Sequence, residues 1–179
     1  MIVRGFIDSF ESLLTASKEE AFTDEVNPID GVVYPLICTA IPEPVKAEIE
    51  EKLTAIKGAP IDINTIFMRR SPKGVSCPHE VHSDISMGKY SLMLYINGGH
   101  TSLVRHKASG IAYSPEDIAY LDIIHQDQNK EDAWLVTELM GGEPNMAAIF
   151  DASRLHRAEP IGGFGSGADS RVVLTCFFS

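Results

Sequence analysis

Two distant stretches of the sequence carry side chains that can bind a metal ion. The first contains His82 and Asp84, separated by Ser83, and the second contains His156. A β-strand places residues i and i+2 on the same side, so His82 and Asp84 are expected to direct an imidazole and a carboxylate towards one point. His156 is the best candidate for a third ligand.

Two histidines and one carboxylate on one side of a metal ion leave three coordination positions open, as in the ligand set of the non-haem Fe(II) oxygenases. The spacing of His82 and Asp84 is by itself a weak indication, because it recurs by chance. Ordinary surface or capping roles are the alternative for all three residues. The other histidines are expected to be structural, exposed or rim residues: His79, His100, His106 and His125.

The sequence around these residues resembles a known enzyme family. His82 and Asp84 are followed by the β-rich run Tyr90–Asn97, and His156 is preceded by the apolar run Ala148–Asp151. With these motifs, the chain resembles the 2-oxoglutarate- and Fe(II)-dependent dioxygenases, most closely their prolyl-hydroxylase-like branch. The resemblance extends from about residue 63 to the last residue of the sequence.

The resemblance implies a hydroxylase that uses Fe(II), 2-oxoglutarate and O₂, releases succinate and CO₂, and works with ascorbate as an optional reductant. The branch suggests a prolyl residue of a protein or peptide as the target. Family members place a basic residue at the position of Arg171 and a tyrosine at that of Tyr95, so both are expected to bind the distal carboxylate of 2-oxoglutarate. The alternatives are a surface arginine and a core tyrosine, and the role of Arg157 stays open.

The composition argues against several other classes of protein. The chain has 179 residues, enough for one domain with a sizeable core, and 44% of them are apolar. The formal net charge of −10 argues against general binding to nucleic acids or membrane surfaces. The three cysteines lack the spacing of a zinc site, and the first residues lack the features of a signal peptide. We therefore expect a cytoplasmic location.

Hydrophobic periodicity predicts the elements around the site. Two amphipathic helices are predicted, the first over about residues 4–22 and the second over Val45–Lys57, with Gly58 after its end. A turn is predicted at Asn27–Gly31. Strands are predicted over residues 32–41, 61–70, 90–97, 101–106, 134–140, 146–151 and 171–178, and through the segment that contains His82 and Asp84.

This order of elements predicts an α+β fold, which the resemblance sharpens to a double-stranded β-helix, or jelly roll, buttressed by N-terminal helices. Residues 1–179 are expected to form one domain, with helical support over 1–60, the jelly-roll core over 61–179 and an insertion at about 107–132. A helix within the insertion is predicted to begin at Ser114–Asp117. In the strand over 90–97, alternate residues are expected to face the helices (Leu92, Leu94 and Ile96) or a cavity (Ser91, Met93, Tyr95 and Asn97).

Less can be inferred about the substrate. Two segments rich in charge and turn residues, Arg69–Glu80 and His106–Asp132, are expected to form the rim of the site. Arg69, Arg70 and Lys73 are expected to lie on one side of this rim and to favour a peptide with acidic residues, although a small-molecule substrate stays open. The rival interpretation is a cupin-like jelly roll that binds a metal or ligand without oxidation, and such a protein has no need of Arg171.

Overall fold

The computed structural model describes residues 1–27, 31–75, 77–115 and 118–179, with the backbone alone for residues 118 and 119. The described residues form ten strands and three α-helices. In chain order these are β1 (Ile2–Arg4), α1 (Phe10–Glu19), β2 (Thr23–Val26), β3 (Val33–Cys38), α2 (Glu43–Lys57), β4 (Ile63–Ser71), β5 (Tyr90–Tyr95), β6 (His100–His106), α3 (Ile118–Asp127), β7 (Trp134–Gly141), β8 (Met146–Asp151), β9 (His156–Glu159) and β10 (Arg171–Phe178).

The strands form two antiparallel sheets. The larger sheet has the order β1-β8-β5-β10-β4-β3-β2, and the smaller sheet has the order β7-β6-β9. From β5 onward the chain passes to the smaller sheet for β6 and β7, returns for β8, crosses again for β9 and returns for β10. This alternation gives an α+β fold with a jelly-roll-like core. Strand β10 lies between β5 and β4, and all eight of its residues are buried.

The outer face of the larger sheet packs against α1 and α2. Helix α2 contributes Val45, Ile49 and Leu53, which are fully buried in one apolar cluster with residues of β5 and β10. Ile56, the last residue of the same apolar stripe, remains 39% exposed. The second helix begins and ends close to its predicted bounds because Pro44 stands in its first turn and Gly58 follows its last.

Strand β5 divides its side chains between two clusters, as the alternation of its sequence predicts. Leu92 and Leu94 belong to the outer cluster beneath the helices, whereas Met93 and Tyr95 belong to the inner cluster between the two sheets. Asn97 lies beyond the end of the strand. Its side chain donates to the carbonyl of Ser170 and accepts from the backbone N–H of Val172, so it fixes the start of β10.

The sequence-based prediction missed strands β1, β2 and β9, and it misplaced the start of the first helix. The first helix begins at Phe10 rather than near residue 4, because Ile2–Arg4 pairs with β8 and the N–H of Phe6 donates to the carbonyl of Asn145. Strand β9 was not predicted as a strand. It is short and polar, and its pairing with β6, three strands earlier in the chain, defines it.

Some predictions fall on residues outside the described ranges. The turn residues 28–30 and two residues of the predicted helix start, 116 and 117, belong to this group. Helix α3 lies within the segment predicted as an insertion and ends at Asp127. Across the described ranges, we find no helix with the length and apolar character needed to cross a membrane.

Candidate active site

Backbone hydrogen bonds hold the segment around His82 against the start of β9. His82 and His156 form an isolated antiparallel bridge, in which the N–H of each donates to the carbonyl of the other at 3.1 and 2.9 Å. The N–H of Asp84 donates to the carbonyl of Ala152 at 2.8 Å. The predicted strand through His82 and Asp84 is therefore wrong. These three hydrogen bonds, and not strand alternation, direct the side chains to one point.

The side chains of His82, Asp84 and His156 converge with the spacing of metal ligands. One ligand atom from each lies within 4.8 Å of the others. Oδ2 of Asp84 lies 3.1 Å from Nε2 of His156, and Oδ1 lies 3.6 Å from Nε2 of His82. Two ligands at right angles, each about 2.1 Å from an ion, are about 3 Å apart. Nε2 of His156 is buried and makes no hydrogen bond of normal geometry with the described residues. A divalent ion fits both observations.

The backbone sets the orientation of both imidazoles. Nδ1 of His82 lies 3.1 Å from the carbonyl of His79, and Nδ1 of His156 lies 2.9 Å from the carbonyl of Arg154. With the proton on Nδ1 donated to these carbonyls, the Nε2 lone pair of each ring is free for a metal ion. Such support of ligand histidines by carbonyl groups is the usual arrangement around bound metals.

Electrostatics favour the metal-binding forms of two of the three residues. Burial among protein atoms and, to a lesser degree, the charge of His156 lower the pKa of His82 to about 4. The side chain of His82 is nevertheless 30% exposed. Burial raises the pKa of Asp84, but the charge of His156 and a hydrogen bond from Ser91 outweigh it and hold the pKa below its usual range. Burial lowers the pKa of His156, yet the Asp84 charge prevails and leaves it raised. Asp84 is thus ionised and His82 neutral.

Arg171 begins β10 on the inner face of the larger sheet and is only 4% exposed. Its Nη2 donates to the carbonyl of His100 at 3.2 Å, whereas its buried Nε has no partner. Within the described residues, no carboxylate lies within 4.0 Å of the guanidinium. Burial lowers the pKa of Arg171 to about 10. A buried cation with unused donors and no protein counter-ion is suited to an anionic ligand.

Tyr95 lies on the same inner face, fully buried, and its hydroxyl lacks a hydrogen bond of normal geometry. Burial raises its pKa, against a smaller opposing effect of Thr101 and Arg171. Two glycines with left-handed backbone make room for the side chains of Tyr95 and Arg171. A Cβ on Gly141 would lie 2.4 Å from the Tyr95 ring, and one on Gly99 would lie 2.7 Å from Nε of Arg171. Any side chain at either glycine would displace one of these two side chains.

The candidate metal ligands face the same space between the sheets as the side chains of Tyr95 and Arg171. Ser91, which contacts Asp84, stands four residues before Tyr95 on one face of β5, a separation of about 13 Å. Thr175 and Met93 lie between these two ends and contact each other at 3.4 Å. The His-Asp-His cluster and Arg171 therefore lie along one inner face, as a ligand that binds a metal at one end and an arginine at the other requires.

The predicted basic rim is not a single surface. Arg69 pairs across the sheet with Val173 and shares its inner face. Arg70 points to the opposite face, where its Nη2 donates to the carbonyl of Ser17 and its guanidinium lies 4.0 Å from the centre of the Phe22 ring. Neighbouring residues of a strand point to opposite faces, and the prediction that grouped them overlooked this alternation.

Two other polar residues have structural contacts. Nε of Arg157 lies 2.7 Å from Glu159, whose carboxylate also accepts a hydrogen bond from Ser102. This ion pair accounts for the buried Arg157 without a ligand. His106, 2% exposed, bonds through Nε2 to Asp127 at 3.0 Å and so connects β6 to the end of α3.

Comparison with known proteins agrees with this geometry at the level of the fold. No family model matches the sequence, and no curated protein matches it. Solved structures do match. EctD from S. alaskensis with 2-oxoglutarate and 5-hydroxyectoine has a TM-score of 0.54 at 13% identity, over 100% of this chain and 71% of that chain. The epimerase SnoN with Fe³⁺, alpha ketoglutarate and nogalamycin RO has a TM-score of 0.58 at 11% identity, over 99% and 77%.

HygX from Streptomyces hygroscopicus, with iron bound, has a TM-score of 0.59 at 10% identity, over 100% of this chain and 81% of that chain. Identities this low establish the fold alone. The chain therefore has the fold of iron- and 2-oxoglutarate-binding enzymes, and it carries a His-Asp-His cluster that fits an iron ion.

Proposed function

We propose that this protein is an Fe(II)- and 2-oxoglutarate-dependent oxygenase. In this proposal His82, Asp84 and His156 bind the iron, and Arg171 and Tyr95 bind the distal carboxylate of 2-oxoglutarate. The observation that carries the proposal is the buried Arg171, which has no acidic partner in the described residues and shares the inner face with a three-ligand cluster. A cupin-like protein has no need of such a cation.

Bound Fe(II) with its open positions supplies the activation of O₂ for oxidation of a C–H bond. The chain itself supplies position and charge. Asp84 stays ionised as a ligand, and the carbonyls behind His82 and His156 keep both rings oriented. Apolar residues of the inner cluster, Met93 among them, surround the space between the ligands and the anchors and exclude water from it.

Hydroxylation is the proposed reaction, and the nature of the substrate is a finer proposal. The resemblance suggests a prolyl residue. The structural neighbours favour a small molecule instead, because 5-hydroxyectoine and nogalamycin RO are the compounds found with EctD and SnoN. A small molecule also suits a site whose anchors are buried between two sheets. We therefore place a small-molecule substrate ahead of a peptide.

Two measurements test the proposal. Purified protein with Fe(II), ascorbate, O₂ and 2-oxoglutarate is expected to release succinate slowly even without its substrate, and the His156→Ala variant is expected to release none. Calorimetric titration of the Zn(II)-loaded protein with 2-oxoglutarate gives an answer that does not depend on turnover. Metal binding without any affinity for 2-oxoglutarate would overturn the proposal in favour of the cupin-like interpretation.

A further inference from the structure

A second arginine lies beside the proposed 2-oxoglutarate anchor. Arg69 of β4 pairs with Val173, and Val173 pairs with Tyr95 on the other side, so the three side chains share the inner face of the larger sheet. Arg171 precedes Val173 by two residues and points the same way. Arg69 and Arg171 are thus diagonal neighbours on adjacent strands, with a Cα separation of about 7–8 Å.

The donors of Arg69 are largely unused. Its Nη1 lies 3.3 Å from Sγ of Cys77, a weak acceptor, and its Nε is buried without a partner. Its guanidinium lies 5.7 Å from the centre of the Tyr34 ring. Within the described ranges no carboxylate approaches Arg69 to 4.0 Å. Arg69 can bind a carboxylate through two parallel hydrogen bonds, and the described residues offer it none.

Arg69 and Arg171 line one small cavity, together with Cys77, Glu80 and Gly163. Glu80 is the one acidic residue along this lining, and it forms no ion pair with either arginine. The cavity thus presents two guanidinium groups, and no carboxylate of the described residues lies within 4.0 Å of either.

We propose that Arg69 binds a carboxylate of the molecule that is oxidised, so that the substrate is an organic acid. The inference rests on the proposed function, because 2-oxoglutarate offers a single distal carboxylate and Arg171 is assigned to it. With Arg171 assigned to that carboxylate, the buried Nε of Arg69 is left without an acceptor. A carboxylate of a second ligand supplies one.

The positions of the two arginines support this division. Arg171 is deeply buried, whereas Arg69 is partly exposed and can meet a molecule that enters after 2-oxoglutarate. Arg69 is also near the metal ligands, since Glu80 lines the same cavity and its carbonyl lies 3.3 Å from Nδ1 of His82. A carboxylate held at Arg69 would therefore place the rest of the substrate next to the metal.

The test uses acetate as a carboxylate probe and acetamide as its neutral counterpart. The Zn(II)- and 2-oxoglutarate-loaded protein is labelled with ¹⁵N-arginine, and the side-chain Nε–H signals of Arg69 and Arg171 are assigned from Arg69→Lys and Arg171→Lys variants. Acetate is expected to shift the Arg69 signal saturably, and acetamide is not. Arg69→Gln is expected to weaken acetate binding roughly tenfold or more, whereas Arg70→Gln, on the opposite face, leaves it unchanged.

The outcomes separate this inference from the proposed function. A shift of the Arg171 signal on addition of 2-oxoglutarate reports the proposed function alone. If 2-oxoglutarate shifts both signals and acetate then has no further effect, Arg69 belongs to the cosubstrate site and the inference is wrong. An Arg69 signal that responds equally to acetate and acetamide, or to neither, also overturns it. Glu80→Gln is expected to leave acetate binding unchanged, because Glu80 forms no ion pair with Arg69.

Discussion

The two faces of the seven-stranded sheet differ in how their polar groups are satisfied. On the outer face, Glu48 of α2 accepts hydrogen bonds from the backbone N–H groups of Asp8 and Ser9 and from the Ser9 hydroxyl, and it pairs with Lys52. On the inner face, several buried polar atoms lack a hydrogen bond of normal geometry among the described residues: Nε2 of His156, the hydroxyl of Tyr95, and Nε of Arg69 and of Arg171. On the outer face Nε of Arg70 also lacks one, although Nη2 of the same side chain donates to the carbonyl of Ser17.

The outer face therefore mainly stabilises the fold, whereas the inner face has polar groups that a ligand can bind. Each buried polar group without a partner costs about 1–3 kcal/mol. The apolar clusters on the two faces, of which the one beneath the helices is larger, must offset that cost. Proteins generally depart from complete satisfaction of polar groups at functional sites. The comparison therefore predicts opposite responses to substitutions on the two faces.

The largest effect is expected from removal of a metal ligand. His156→Ala should abolish succinate release, because two remaining ligands cannot hold the facial geometry, and loss even of a supporting residue costs about 10–100-fold. Metal content after dialysis and calorimetric titration with Mn(II) measure the loss directly. The exposed His125 supplies the control, since His125→Ala should bind metal as the wild type does. An affinity of His156→Ala for Mn(II) equal to that of the wild type would show that His156 is not a metal ligand.

On the outer face, Leu53→Ala should lower the free energy of unfolding by about 2–5 kcal/mol, because it leaves a cavity in the cluster under α2. Urea denaturation followed by circular dichroism measures the change. Ile56→Ala, on an exposed residue of the same helix, should cost no more than about 0.5 kcal/mol. The affinity of folded Leu53→Ala for Mn(II) should match that of the wild type, and a parallel loss would show that the two faces are not independent.

On the inner face, Arg171→Met should weaken 2-oxoglutarate binding roughly tenfold or more, since a charge-assisted pair contributes about 1.5–3 kcal/mol. The same variant should be at least as stable as the wild type without ligand, because an uncompensated buried charge has been removed. Tyr95→Phe should weaken binding less, through loss of one hydrogen bond. Calorimetry measures the expected loss of 2-oxoglutarate affinity in Arg171→Met, and urea denaturation of the same samples measures its stability. A less stable Arg171→Met would mean that this arginine supports the fold.

The smallest effect concerns the satisfied carboxylate of the outer face. Burial raises the pKa of Glu48, but hydrogen bonds from Ser9 and Asp8 outweigh it and lower the pKa from 4.5 to about 2. A lowered pKa stabilises the fold above about pH 4.5, and this stabilisation disappears as the pH falls towards 2. Glu48→Gln should therefore be less stable by on the order of 1 kcal/mol at pH 7 and equal to the wild type near pH 2. Stability curves at several pH values measure this convergence, and a constant difference would contradict it.

Sequence patterns predicted the elements whose apolar residues repeat regularly. Helix α2 and strand β5 follow from such repeats, because a period of 3.6 or 2 is a property of the local chain. The start of the first helix was predicted wrongly because it depends on a distant pairing. Ile2–Arg4 pairs with β8, more than 140 residues away in the chain, and no local pattern indicates that pairing. Arg69 and Arg70 were grouped by their charge, although β4 sends them to opposite faces.

The sequence by itself determined the chemistry available to this protein, since the types of His82, Asp84, His156, Tyr95 and Arg171 limit what each can bind. Only the tertiary structure decided that the first three meet, through reciprocal backbone hydrogen bonds between segments 74 residues apart (156 − 82). It also decided that Arg171 is buried without a counter-ion. The physical reason is that burial and pairing depend on which distant atoms exclude water from a group, and spacing along the chain does not specify them.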